Sequence, residues 1–197
     1  MNATEDEKNA AWVKAEIPLP ADQLLEFLAA PERLWRLNPY LAIARWQTMD
    51  DGGFAIVAAN EANGCQLDVA VRREAMPGEG FLFTYDKGLK RTTEFRVAPQ
   101  GEAALLTVTE RYAPLDDPAD ARAKESDSSL VPWVAALRRH IVARGRWRKV
   151  PGWQWWSESF LPSMPPRQRR IVRMIVWLTL AEFVIFVALV LGLRFLG

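Results

Sequence analysis

The sequence predicts an α+β protein in which a curved antiparallel sheet packs around a long helix and one transmembrane helix follows. Three observations support this prediction. Apolar and polar residues alternate over most of residues 43–112, and turn sequences rich in glycine, asparagine and aspartate interrupt them. An amphipathic helical pattern begins at Leu130. The chain of 197 residues then continues into an apolar stretch over residues 174–193.

The first predicted elements are one strand and two short helices. Alternation over residues 11–17 predicts a half-buried strand. Residues 21–29 place four apolar side chains on one face, which predicts a helix that begins after Pro20. A second short helix, ERLWRL, follows Pro31 and ends before Pro39, because a residue that precedes proline avoids the helical region.

Six antiparallel strands are predicted next, separated by turn residues. Asp50-Asp51-Gly52-Gly53 and Asn63-Gly64 are typical of tight hairpins, and further glycine-containing turns separate the later strands. The predicted strands cover residues 43–49, 54–62, 65–73, 81–85, 90–98 and 103–112. The pattern indicates a meander, with the N-terminal strand available to close the sheet.

A long helix should follow, capped by Ser128 or Ser129. Its apolar side chains fall on one face at helical spacing, so we expect this face to lie across the concave side of the sheet. They are Leu130, Trp133, Val134, Leu137 and Ile141. A strand, two short helices, six strands and a long helix is the element order of the helix-grip fold.

The apolar stretch at residues 174–193 is long enough for a helix to cross about 30 Å of hydrocarbon. Ten Lys or Arg residues and one acid lie between Arg138 and Arg173, whereas only Arg194 lies beyond the stretch. Because basic residues stay on the cytoplasmic side, we expect a single-pass membrane protein with a cytoplasmic N-terminal domain, in a bacterial inner membrane. Glu182 lies near the middle of the stretch. It predicts a contact with another helix, and the alternative is a lone carboxyl protonated in lipid.

We therefore expect four regions. Residues 1–9 should be a flexible N-terminus, 10–145 the helix-grip domain, 146–170 an interfacial elbow and 171–197 the anchor. The elbow is rich in tryptophan and basic residues, which favour the lipid headgroup zone. The predicted membrane-interface residues are Trp147, Trp153, Trp155, Trp156, Arg167, Arg169 and Arg170. The alternative interpretation of the elbow is a docking surface for another membrane protein. A nucleic-acid-binding surface is not expected so close to a membrane span.

The chain contains few of the residues that usually carry out catalysis or bind metal ions. His140 is the only histidine and Cys65 the only cysteine, so a catalytic triad, an internal disulfide or a histidine-rich metal site is not predicted. No phosphate-binding glycine motif is present in the sequence, and no cofactor is predicted. Asp68 and Glu94 should face solvent, whereas the position of Glu110 in its strand allows it to point inwards.

Two segments resemble a known family. ADQLLEFLAAPERLWRLNPYL resembles the first helices of the START-like (SRPBCC) superfamily, where segments of the type ADxLFxFLxDPERLxxWNP are common. YDKGLKRTTEFRVAPQGEAALLTVTERY resembles the later strands of that superfamily. The resemblance covers residues 10–145 and implies a cavity that binds an apolar ligand such as a lipid, sterol, polyketide or quinone. A few members catalyse cyclisation or dehydration. A membrane tail on such a domain is similar to the anchored accessory proteins of carbon-monoxide dehydrogenase.

The inward-facing residues of the strands and the long helix are the predicted cavity lining, although the same residues could instead fill a solid core. They are Leu67, Val69, Phe83, Tyr85, Phe95, Leu106, Trp133 and Leu137. The resulting hypothesis is a membrane-tethered binding protein for an apolar small molecule, in contact with membrane lipid. A second hypothesis is an accessory or assembly subunit of a membrane complex, with a membrane protein or a second copy against the span. A third is a cyclase or dehydratase, which needs ionisable groups inside the cavity.

Overall fold

The computed structural model describes residues 9–114 and 129–196, and its sheet has seven antiparallel strands. The strands are β1 (Ala10–Ile17), β2 (Leu41–Thr48), β3 (Phe54–Asn60), β4 (Gln66–Met76), β5 (Gly80–Tyr85), β6 (Lys90–Gln100) and β7 (Ala103–Tyr112). Their order across the sheet is β1-β7-β6-β5-β4-β3-β2, so the six-strand meander is confirmed and β1 pairs with β7.

The strand ends differ from their predicted positions by up to three residues, and local contacts explain the shifts at the ends of β3 and β4. Strand β3 ends at Asn60, two residues early, because the Asn60 side chain accepts a hydrogen bond from the Ala62 backbone N–H (2.9 Å). Strand β4 continues to Met76, three residues beyond the prediction, where it pairs with Gly80. Gly80 has φ +147, and a Cβ there would meet the Phe95 carbonyl oxygen at 1.9 Å, so only glycine fits this crossing.

Helices α1 (Ala21–Leu28) and α2 (Pro31–Arg36) precede β2, and the long helix α3 spans Leu130–Trp147. All five predicted apolar residues of α3 are buried. The Trp133 indole donates to the Leu34 carbonyl (2.8 Å), and Arg138 donates to the Glu16 carbonyl (2.9 Å). These contacts fix α3 against α2 and β1, and the helix-grip fold is confirmed.

Ser129 precedes the first residue of α3, and its hydroxyl oxygen accepts a hydrogen bond from the Asn38 side-chain amide (3.1 Å). Ser129 therefore occupies the predicted cap position, but its side chain makes no capping hydrogen bond to α3 and instead ties the start of the helix to the segment after α2. The alternative cap, Ser128, lies outside the described residues.

The core is centred on one indole ring, that of Trp35. Five aromatic rings surround it, with centroid distances from 4.7 to 6.5 Å. They belong to Trp46, Phe54, Phe83, Phe95 and Trp133. Edge-to-face contacts of this kind add to the free energy gained by burying the rings.

Three short helical segments lead from α3 to the last helix. They are α4 (Trp153–Trp155), a π-helical turn (Trp156–Phe160) and α5 (Leu161–Ser163), and the terminal helix α6 runs over Pro166–Leu196. Among the described residues, one helical stretch, Pro166–Arg194, is long and apolar enough to cross a membrane. Its most apolar part is not packed against the rest of the fold.

The first turn of α6 is fixed to the folded domain, and this corrects one predicted membrane-interface residue. Arg169 is 8% exposed, and its guanidinium donates to the carbonyls of Met164 (2.6 Å), Pro162 (3.2 Å) and Arg36. Because its donors are directed to internal carbonyls, Arg169 is not presented to a lipid surface. Its neighbour Arg170 forms an ion pair with Glu61 (3.0 Å) just after β3.

Candidate functional site: a pocket beneath the long helix

A pocket of about 360 Å³ lies between the N-terminal part of α3, the end of α2 and the hairpins that follow β3 and β5. Its walls are mainly apolar and include two of the aromatic core residues. The apolar lining residues are Trp35, Leu41, Leu67, Val69, Leu89 and Trp133. A volume of this size is at the lower end of the range for small-molecule sites.

The rim of the pocket is polar and is held in place by local turns. Asn60 accepts from the Ala62 N–H (2.9 Å), and Asn63 accepts from the Cys65 N–H (3.0 Å). Asn38 accepts from the Tyr40 N–H (3.0 Å). Because these side chains are hydrogen-bonded to the backbone, the rim offers fixed amide groups to a bound molecule.

Lys90 and Glu110 form an ion pair beside the pocket. Glu110 lies on the inner face of β7 with no exposed surface, so the inward orientation that its strand position allowed is the one observed. Lys90 Nζ donates to Glu110 Oε1 (2.6 Å), and the Tyr112 hydroxyl donates to Glu110 Oε2 (2.6 Å). Lys90 also lines the pocket, as do Lys87 and Asp68, so charged groups lie close to its apolar walls.

The eight predicted cavity residues divide into two groups of four. Leu67, Val69, Tyr85 and Trp133 line the pocket. The other four are completely buried in the packed core: Phe83, Phe95, Leu106 and Leu137. The Trp35 ring packs on Phe83, and the Trp133 ring, in the first turn of α3, packs on Phe95. These phenylalanines are therefore covered, and the pocket lies at the N-terminal end of the helix.

The sequence did not identify the polar lining residues. Asn38, Asn60 and Lys90 all lie at element ends, where side-chain direction does not follow strand alternation. The Asn63-Gly64 turn is a local sequence signal for the rim, but by itself it predicts only a hairpin. Cys65, which was expected to be a small strand residue, lies half-buried in the pocket lining just before β4 begins.

Glu94 differs from its prediction as a solvent-facing residue, since it is 7% exposed. It lies between Arg96 (2.6 Å) and Arg111 (2.9 Å) on the outer face of the sheet. Burial acts to raise the pKa of the Glu94 carboxyl, but hydrogen bonds from Arg111 and Arg96 outweigh it and hold that pKa below its ordinary value. Glu94 therefore belongs to a structural ion-pair cluster, outside the pocket.

His140 is a residue of α3, and its ring lies 5.9 Å from that of Phe27 on α1. The pKa of His140 is lowered from 6.5 to about 4, mainly by burial. Arginines at positions 33, 144 and 173 also lower it, and Glu158 opposes them. The imidazole is therefore neutral at neutral pH.

Because His140 is the chain's only histidine, its titration can be isolated. The unfolded chain takes up a proton near pH 6.5 and the folded chain only near pH 4, so folding stability should fall as pH decreases through this window. Denaturant unfolding of the full chain should show a shallower decrease from pH 6.5 to 4.5 in His140→Gln than in the wild type. Parallel decreases in the two proteins would contradict the buried, neutral imidazole.

Aromatic pairs organise the elbow that joins α3 to α6. Trp147 and Trp153 rings lie 5.5 Å apart, and Trp155 stacks on Phe160 at 5.1 Å. Trp155 is 61% exposed and Trp147 44% exposed, whereas Trp153 and Trp156 are half-buried. Two of the four predicted interfacial tryptophans, Trp147 and Trp155, are therefore exposed, and so is Arg167.

In the described part of the chain, no three His, Cys, Asp or Glu side chains come together as metal ligands. No family model matches the sequence, and no curated protein matches it. The structure, in contrast, is similar to many solved proteins.

A START superfamily protein from Mycobacterium smegmatis matches with a TM-score of 0.51 and 16% identity, over 68% of this chain and 97% of that one. The protein XoxI from Bacillus cereus matches with a TM-score of 0.51 and 13% identity, over 68% and 95%. The di-domain ARO/CYC protein BexL of the BE-7585A biosynthetic pathway gives 0.54 and 19%, over 69% of this chain but 47% of BexL, about half its length. At these identities the likeness concerns the fold alone, and a START-like fold is confirmed.

Proposed function

We propose that this chain is a membrane-tethered binding protein for an apolar small molecule that carries a polar group, such as a lipid or a quinone. The observation that carries the proposal is the pocket of about 360 Å³ beneath α3. Its apolar walls suit a hydrocarbon or ring system, while fixed amides and Lys90 at its polar side suit a hydroxyl, carbonyl or acidic group.

The position of the pocket supports exchange with a bilayer. Asn60 and Asn63 belong to the hairpin whose Glu61 binds Arg170 of α6 (3.0 Å). Arg170 precedes the apolar stretch by four residues, a rise of about 6 Å in a helix. The pocket rim therefore lies near the level at which α6 would enter a membrane. The excess of basic residues before the span favours a cytoplasmic location for the domain.

Filling the pocket tests the proposal directly. Leu67→Trp adds an indole at a half-buried lining position and should reduce the content of bound ligand by about tenfold or more. The control is Leu105→Trp, which adds the same group on the outer face of β7, away from the pocket. Native mass spectrometry and solvent extraction of the full-length proteins, purified from membranes, measure the bound molecule. A wild-type protein without a guest, or equal content in both variants, would contradict the proposal.

An accessory subunit of a membrane complex is the second candidate, and Glu182 favours it. The carboxyl lies in the middle of α6, where no other part of the described chain packs against the helix. A carboxylate at that depth costs about 3 kcal/mol, and a hydrogen bond from a partner helix would offset part of this cost. Blue-native electrophoresis of the wild type and Glu182→Leu should show loss of a larger species, and identical migration with no co-purifying partner would exclude this role.

Catalysis, as in a cyclase or dehydratase, is supported less well. An ionisable pair does lie in the interior, but both Glu110 oxygens accept hydrogen bonds from Lys90 and Tyr112, and Glu110 has no exposed surface. A carboxylate held in this way stabilises the fold and positions Lys90, which is consistent with binding.

A further inference from the structure

A second, shallower pocket of about 220 Å³ lies on the exposed side of α3. Three arginines and one tryptophan line it: Arg138, Arg139, Arg146 and Trp147. Arg138 has a structural role as well, since its Nε donates to the Glu16 carbonyl (2.9 Å). The floor between these side chains is formed by small and apolar residues of the same helix.

Two of these arginines have no carboxylate partner in the described part of the chain. Within residues 9–114 and 129–196, neither Arg139 nor Arg146 forms an ion pair with a carboxylate. The acid of the elbow, Glu158, is already paired with Arg144 (2.9 Å). Guanidinium groups that line one pocket without an anion repel one another, so a bound anion would relieve this repulsion.

The pocket lies at the level where α6 meets the membrane. Arg139 interacts electrostatically with Arg173, and so does the adjacent His140. Arg173 is the last charged residue before the apolar stretch that begins at Met174. The middle of α3 is therefore beside the first membrane-embedded turn of α6, which is the depth of the lipid headgroups.

We propose that this pocket binds the phosphate of one anionic phospholipid headgroup. The guanidinium fork matches phosphate oxygens, and Arg139 and Arg146 provide two such forks. Trp147, whose ring lies 5.5 Å from that of Trp153, provides the amphipathic surface that favours the headgroup zone. The site is independent of the ligand pocket and orients α3 against the bilayer. It is a defined binding site, which distinguishes it from a general attraction between basic residues and acidic lipid.

Two charge-matched double variants of the full-length protein separate these alternatives. Arg139→Gln with Arg146→Gln removes two charges from the pocket, while Arg148→Gln with Lys149→Gln removes two charges from the exposed segment directly after it. Native mass spectrometry in detergent measures binding of dioleoylphosphatidylglycerol and, as the neutral comparison, dioleoylphosphatidylcholine. Circular dichroism checks the fold of each variant, and the single variants Arg146→Gln and Arg148→Gln provide the same comparison if either double variant unfolds.

We expect the wild type to bind one phosphatidylglycerol at least about tenfold more tightly than phosphatidylcholine. The pocket variant should lose about tenfold in affinity, and the control variant should stay within about twofold of the wild type. Equal losses in the two double variants would show diffuse attraction and overturn the proposal. So would equal binding of the two lipids, or full displacement by millimolar inorganic phosphate, which would indicate a site for a soluble anion.

Discussion

Glu110→Leu is expected to lower the free energy of unfolding by about 4 kcal/mol, because it leaves the Lys90 ammonium without its buried partner. Glu110 has no exposed surface, and its carboxylate lies 2.6 Å from Lys90 Nζ. The double variant Lys90→Met with Glu110→Leu should recover most of the loss, since it removes both charges and keeps the volume. Denaturant unfolding of the wild type, Glu110→Leu, Lys90→Met and the double variant in detergent, followed by circular dichroism, provides the four free energies of the double-mutant cycle.

The control for this cycle is an exposed pair on the same sheet. Glu74 and Arg72 lie 3.5 Å apart with side chains 49% and 73% exposed, so Glu74→Leu should cost less than about 1 kcal/mol. If Glu110→Leu is no more harmful than Glu74→Leu, the interior ion pair is not formed as described.

Trp35→Ala is expected to destabilise the protein by about 4 kcal/mol, through the cavity that removal of a buried indole leaves. Trp35 is 4% exposed and contacts five aromatic rings. Trp12→Ala deletes the same side chain at a position 66% exposed on β1, and its cost should be within about 0.5 kcal/mol. Similar losses at the two positions, measured by the same unfolding experiment, would contradict the central place of Trp35 in the core.

The fold could be predicted from the sequence because local patterns and element order agree. Alternation in the strands, glycine turns between them and the apolar face of α3 each indicate the same arrangement, which resembles that of START-like proteins. Alternation identifies the face of the sheet on which a residue lies, but it does not give depth. Phe83 and Tyr85 share a face of β5, yet only Tyr85 reaches the pocket.

The polar part of the site depends on contacts between distant segments. Asn38 meets Ser129 across 91 positions of sequence, and Arg169 meets the Arg36 carbonyl across 133. No local sequence pattern predicts either contact. The contact of Arg169 with the Arg36 carbonyl explains why an arginine beside the membrane span is buried. Glu94 shows the same limit, because its burial depends on Arg111 from the neighbouring strand.

The central claim is that the pocket beneath α3 holds an apolar guest at the membrane. An experimental structure of the full-length protein, purified from membranes without added ligand, tests it most directly. We expect continuous non-protein density between Val69, Tyr85 and Trp133, with its polar end towards Lys90. A pocket that contains only ordered water, or one closed by the Trp133 ring, would contradict the claim.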